Sequence, residues 1–572
     1  MTAVSGAFEG RAAAPVAAAD RRTGPWNLLR GQFTGRRVSL VRPVNVGLMA
    51  DLAAERFGRV PVYLDRPFAW DPDQRVELDY VEYATLVRQM SAVLKAAGAG
   101  RWDRVVILKS PNYDQQALAW AAARIGAIPA LLSAALDPDI LGVLLGRLQA
   151  RFLVTDAATA AHAGLGPDRL RALGCTVIGD VAGGIPVADL WGGPVPAARP
   201  LKDDDPMMIT HTSSTTGVSK LAETSAAAVS FSAFLESVFP FLHNSGELFA
   251  SVISHAHVRA AITQQAAFSR GTPLLGVGAP DDDAVRRLFA RYRPTILEAH
   301  PNAFVGWEPL ITDPSRPFAS IRLFINTFDA MHPRTIGRFL QASRRAVPTW
   351  LQCYGMTETQ VVSVRPYTRR STGRLIGGDA RSVGWAVPGV RARIADPATG
   401  RRRRAQSQPG MIQARTRARA LSFVGTPEKF SERRHGKWFD TGDWGRRGRW
   451  GQLEVLDRVA DRIEGVDSCL EIEDVLMDRI PGAEEVVVVP DGHGRPVPVV
   501  CMRDGAPLNP EAWKAASAGL EGLSEPFVVT AGQLRRTATV KPRRYLLTEM
   551  IRNRADGRDE PAGDDAVLRE GA

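Results

Sequence analysis

Between residues 83 and 352 short apolar runs alternate with amphipathic helical stretches, and this alternation limits the possible folds more than any other feature of the chain. Leu86, Val87, Met90, Val93, Leu94 and Ala97 recur at helical spacing and stop at Gly98, which reads as a helix with its closing glycine. Residues 105–108 then read as a buried strand, a helix runs through Trp120 and Ile125, and 152–155 read as the next strand. Farther on, DDDAVRRLFARY reads as a helix capped near Asp281, with strands expected at 295–297, 321–325 and 349–352. Strand and helix in alternation predict an α/β fold of mixed, mostly parallel sheets covered by helices, with ligands in the loops at strand C-terminal ends.

At 572 residues and 45% apolar content the chain has material for three or four folded units, taking roughly 150 residues for each. Its four cysteines show no C-x-x-C spacing, which argues against a disulfide framework or zinc site and for a reducing, cytoplasmic setting. The first forty residues lack a secretory apolar core. The most apolar window, 117–136, is broken by Arg124, Gly126 and Pro129 and reads as helix then strand, so no membrane is expected as a partner. Lys plus Arg number 72 against 61 Asp plus Glu, a surplus of 11 that suits the steering of anionic substrates. The arginines at 401–404 follow a turn signal and lack interleaved aromatics, which reads as a solvated loop and not a nucleic-acid platform.

Three stretches carry chemistry. In HTSSTTGVSK, residues 211–220, the hydroxyls of Thr212, Ser213, Thr215 and Thr216, a turn at Gly217 and the charge of Lys220 make a grip for a polyphosphate. In YGMTE, residues 354–358, Tyr354 can stack on a purine, Gly355 permits close approach, Thr357 can bond a phosphate and Glu358 can hold magnesium. Asp443 is expected after a Thr-Gly turn in the TGD of 441–443, where an exposed carboxylate can accept two ribose hydroxyls. His255 and His257 in SHAHVR have no third metal ligand near them and read otherwise as strand residues facing one side.

Taken in this order, the stretches resemble the motifs of the adenylate-forming (ANL) superfamily of acyl- and aryl-CoA ligases, luciferases and carrier-loading domains. HTSSTTGVSK resembles T-S-G-T-T-G-x-P-K-G, with Ser214, Ser219 and Leu221 departing. YGMTE matches Y-G-x-T-E at each fixed position, Arg458 matches the ribose arginine after T-G-D, and LRRTATVKPRR resembles the ending P-R-T-x-x-G-K. The resemblance implies ATP and Mg2+ as cofactors and Lys541 as the catalytic lysine, with Thr357 and His257 beside it. It also implies a large AMP-binding domain over 46–457, including a small β-rich subdomain, and a small mobile α+β domain over 458–550. Residues 1–45 and 551–572 are expected to be flexible extensions.

Departures from the family pattern shape the expected reaction. Where relatives carry a Gly-Gly-Ala or Gly-Ala-Ala turn beside the acyl pocket, this chain has INTFDAMH, so Phe328 and Asp329 should narrow the pocket. The hinge position is Ala460, and 461–471 is shorter than its counterparts, which makes CoA doubtful as acceptor. A small acid activated as its adenylate with release of pyrophosphate, then passed to a small acceptor such as an amine, is the expected reaction. An ATP-dependent diazotase using nitrite is one candidate, a thioester-forming CoA ligase the alternative, and a basic nucleotide- or nucleic-acid-binding protein without turnover the rival of another class. The oligomeric state is not legible.

Overall fold

The computed structural model describes residues 42–212, 218–238, 246–371, 381–403, 408–537 and 541–555. Ser213, Thr215, Thr216 and Gly217 of the phosphate stretch lie outside them, as do 1–41 and 556–572. Chain packing is already specific at Val44, whose N–H donates to Ser230 Oγ at 2.9 Å, and Asn45 caps the helix Val46–Phe57 by accepting from Gly47 N.

Two large sheets face each other across buried helices. One runs in the order Ser422–Val424, Leu221–Ser225, Pro206–His211, Ile128–Ser133, Arg104–Lys109, Phe152–Val154, Thr176–Ile178. In the other, Phe249–Val252, Ile296–Ala299, Leu323–Asn326 and Thr349–Met356 lie parallel and neighbouring. The first three are short runs buried at every residue, as strands covered on both faces must be. Between the sheets lie Asp114–Arg124 and Val258–Arg270, helices with every residue buried. The periodic helix expected before Gly98 is Tyr80–Ala96, begun by a capping box of Asp79 and Glu82.

Three local expectations are corrected. The strand expected to end at 352 runs on as Thr349–Met356, because its end pairs antiparallel with Gln360–Thr368 across a bulge at Tyr354/Gly355. A Cβ on Gly355 would lie 2.1 Å from Gln360 O, so only glycine permits this approach. TGD is likewise no turn but the middle of Trp438–Arg447, with Asp443 opposite Arg458 of Leu453–Arg458. His255 and His257 are not strand residues: the strand stops at Val252, and His257 is the N-cap of Val258–Arg270.

The smaller C-terminal part packs the helices Cys469–Arg479, Pro510–Ser517 and Arg544–Ala555 around the strands Ala483–Pro490, Pro496–Met502 and Phe527–Val529. The flexible tail expected from 551 is corrected at its start, since Ile551 is buried in this part's core and the helix reaches Ala555. Among the described residues no hydrophobic cluster mixes side chains of the two parts. They meet through charges: His332 with Asp478 at 3.3 Å, Glu308 with Arg503 at 3.7 Å, Asp329 with Lys541 at 3.4 Å, and Arg381 with Glu471. No described helix is long and apolar enough to cross a membrane.

Candidate active site

The ends of the phosphate stretch are tied together. Thr212 N donates to Lys220 O at 2.8 Å and Lys220 N donates to Thr212 Oγ1 at 3.1 Å, closing the stretch into a hairpin base. Lys220 Nζ sits 5.4 Å from the centre of the Phe423 ring. Burial, then the neighbouring Arg433, lowers its pKa from the usual lysine range.

The YGMTE strand and its turn deliver three contacts. The Tyr354 hydroxyl donates to Asp443 Oδ2 at 2.5 Å, and Asp443 Oδ1 pairs with Arg458 Nε at 3.1 Å. Asp443, read as an exposed acceptor, is only 5% exposed. Glu358 accepts from Arg433 Nη1 at 2.8 Å. Thr357 meets His257, whose protonation follows from its other nitrogen: Nδ1 accepts from Arg259 N at 3.2 Å, so Nε2 carries the proton toward Thr357 Oγ1, 3.1 Å away. Burial, followed by repulsion from His211, His300, Arg259 and Lys541, pushes the His257 pKa down to about 3. His300 is similarly lowered to about 4, chiefly by burial. Both imidazoles are therefore neutral donors or acceptors near pH 7.

Phe328 stands between these two rings, 4.7 Å from His257 edge-on and 4.3 Å from His300. Its φ is 79°, left-handed backbone that favours glycine and costs a residue with a Cβ roughly 1–2 kcal/mol. The turn thus has the conformation of a glycine turn with a phenyl ring mounted on it.

One cavity of about 160 Å³ gathers Thr212, Lys220, His257, Thr357, Glu358 and Lys541, with Phe328, Gly355 and Arg458 in its wall. Tyr354 and Asp443 are not in the lining and connect to it through Arg458. Asp329 is a correction: expected to narrow the acid pocket, it lies outside the lining with its side chain 51% exposed, and it pairs with Lys541 instead. Glu358 is the one carboxylate among the described lining residues, and a single protein carboxylate completed by phosphate oxygens and water fits magnesium.

Sequence reasoning missed Arg433, hidden in a basic run, and Arg259. Arg259 lines the cavity and is gripped by Glu298, Nε to Oε1 at 2.7 Å, and by Glu236. Thr327 Oγ1 donates to Glu298 at 3.1 Å, and burial lifts Glu236 to about 7 despite its ion pair. The available signal was Glu298 itself, an acid in the middle of an apolar strand, which must have a buried cation for a partner.

Thr212 and Lys220 from the two ends of the phosphate stretch, Arg458 with its buried partner Asp443 behind it, and Lys541 thus meet at one cavity. The AMP-binding enzyme family matches residues 52–420, and the chain belongs to it. Over 541 residues, 90% of this chain and 97% of the relative, it is 37% identical to the 3-amino-2-hydroxy-4-methoxybenzoate diazotase of Streptomyces cremeus. It is 23% identical to the 3-hydroxybenzoate–CoA ligase of Aromatoleum sp. (strain CIB), over 83% of this chain and 91% of that one. Among solved structures, ATP-bound MatB from Rhodopseudomonas palustris superposes with a TM-score of 0.74 at 22% identity, covering 90% of this chain and 99% of that one. The protein is accordingly an ATP-dependent, adenylate-forming ligase.

Proposed function

We propose that the enzyme adenylates a small acid, nitrite being the foremost candidate, and passes it to the amine of an aromatic acid. Phe328 carries this reading: it puts a phenyl ring in the turn that adjoins the acid, 4.7 Å from the ring of neutral His257, and so takes up space beside the acid. The relative named as a 3-amino-2-hydroxy-4-methoxybenzoate diazotase supports an aromatic amine as acceptor and diazotisation as the reaction.

In the first half-reaction an oxygen of the acid attacks the α-phosphorus of ATP and the bond to pyrophosphate breaks, its electron pair leaving with pyrophosphate. Thr212 and Lys220 hold the β- and γ-phosphates, Thr357 bonds an α-phosphate oxygen, and Lys541 bridges acid and phosphate as charge develops. Glu358 would hold Mg2+, whose charge would offset part of that of the phosphates. In the second half-reaction the amine lone pair attacks the nitrogen of the nitrosyl adenylate, AMP leaves and the amine gives up a proton. The resulting N-nitrosamine, on gaining a proton and losing water, becomes the diazonium ion.

CoA as acceptor is the second reading, favoured by the hydroxybenzoate–CoA ligase relative and opposed by Ala460 and the short 461–471 segment. The test is incubation with Mg-ATP and a panel of acids including nitrite, with aminobenzoates or CoA, products being read by mass spectrometry. Pyrophosphate release that needs nitrite, with a diazonium-derived product, supports the proposal; release only with a long-chain acid plus CoA overturns it.

A further inference from the structure

We infer that Asp329 is a positioning residue that seats Lys541 in the cavity before substrate arrives. The inference rests on the reading of Lys541 as the lysine of adenylation.

Lys541 brings a positive charge into a cavity that already holds Lys220, Arg433 and Arg458, and only 13% of its side chain is exposed. Like charges around one cavity repel, and although Glu358 and Asp443 partner the two arginines, the lysine needs a counter-charge of its own to stay seated. A carboxylate at the cavity's edge supplies it. Asp329 Oδ2 lies 3.4 Å from Lys541 Nζ.

The carboxylate is also aimed. Its Oδ1 accepts from Ala330 N at 3.0 Å, which leaves Oδ2 for the lysine. Asn326 Nδ2 donates to Asp329 O at 2.7 Å, while Asn326 Oδ1 accepts from the buried Trp350 Nε1 at 2.6 Å. Asn326 is fully buried at the end of a central strand, so residue 329 is fixed to the most rigid part of the large sheet. Three residues on, His332 meets Asp478 of the smaller part, so the same segment makes a second charged contact with the body that carries Lys541. An arriving acid anion gives Lys541 an equivalent partner, and the lysine changes anions without passing through an unpaired state.

The pair is tested without knowing the acid by acetylating lysines with sulfo-N-hydroxysuccinimide acetate and following each by mass spectrometry. In Asp329→Asn, Lys541 should be labelled about fivefold faster, the range for one partly exposed ion pair, with exposed Lys202 and Lys429 unchanged. Pyrophosphate release should slow by a similar factor, Asp329→Glu should restore it, and Asp329→Asn should add nothing in a Lys541→Ala background. Unchanged labelling of Lys541, or an equal slowing with and without Lys541, overturns the inference. If no acid in the panel elicits pyrophosphate from the wild type, the proposed function fails while the labelling still decides the pair.

Discussion

Tyr354 and Arg458 hold opposite oxygens of Asp443, the phenol at 2.5 Å and the guanidinium at 3.1 Å, so one buried carboxylate is shared between an aromatic ring and a cation. A nucleotide ribose that bonded to Asp443, as the resemblance implies, would join an assembled network with no loose acid to order.

Replacing this acid by its amide should therefore act on nucleotide binding. Hydrogen bonds to charged groups contribute about 1.5–3 kcal/mol, so Asp443→Asn should weaken ATP about tenfold to hundredfold in a calorimetric titration. An unchanged affinity would remove Asp443 from the ribose site.

Phe328 makes a prediction about stability and a separate one about specificity. Glycine should suit its left-handed backbone better than alanine, so Phe328→Gly should unfold at higher denaturant than Phe328→Ala, by about 1 kcal/mol. Both variants should accept bulkier acids, read as pyrophosphate release across the acid panel. Equal stability of the two would mean that the turn relaxes.

His257 ties stability to pH. Its pKa is about 3 when folded against an ordinary 6.5, so below pH 6.5 the unfolded chain takes up a proton that the folded one refuses. Its contribution is fully present above pH 6.5 and is lost as pH falls toward 3. Relative to His257→Gln, the wild type should lose up to about 1.4 kcal/mol per pH unit between 6.5 and 4, measured by denaturant unfolding of both proteins.

Glu358 should govern the response to magnesium. Outer partners of metal ligands are typically worth tenfold to hundredfold in affinity, and a ligand itself no less, so Glu358→Gln should raise the half-saturating Mg2+ concentration at least tenfold. Pyrophosphate release titrated with the metal checks this.

The sheets, the periodic helices and the order of the motifs were legible because each depends on short-range pattern: apolar runs, a capping aspartate, glycine closures. The path of Tyr354 and Asp443 within strands was not legible, because cross-strand pairing with residues 360–368 and 453–458 decides it and period alone cannot. Asp329 shows a different limit. Its place in the sequence marked the acid pocket, yet a hydrogen bond from Asn326 to its carbonyl turns that stretch, and its side chain meets a residue more than two hundred positions away. Arg259 and Glu298 were invisible as a pair for the same reason, since neither residue's neighbours announce the other.

The charged contacts between the two parts, His332–Asp478, Glu308–Arg503, Arg381–Glu471 and Asp329–Lys541, with no apolar cluster shared among the described residues, have a thermodynamic consequence. Separating them hydrates charges and wets little hydrocarbon, so opening carries almost no heat-capacity change and becomes easier as ionic strength rises. With separate hydrophobic clusters in the two parts, two melting transitions are the expected outcome in calorimetry, the gap between them widening with salt.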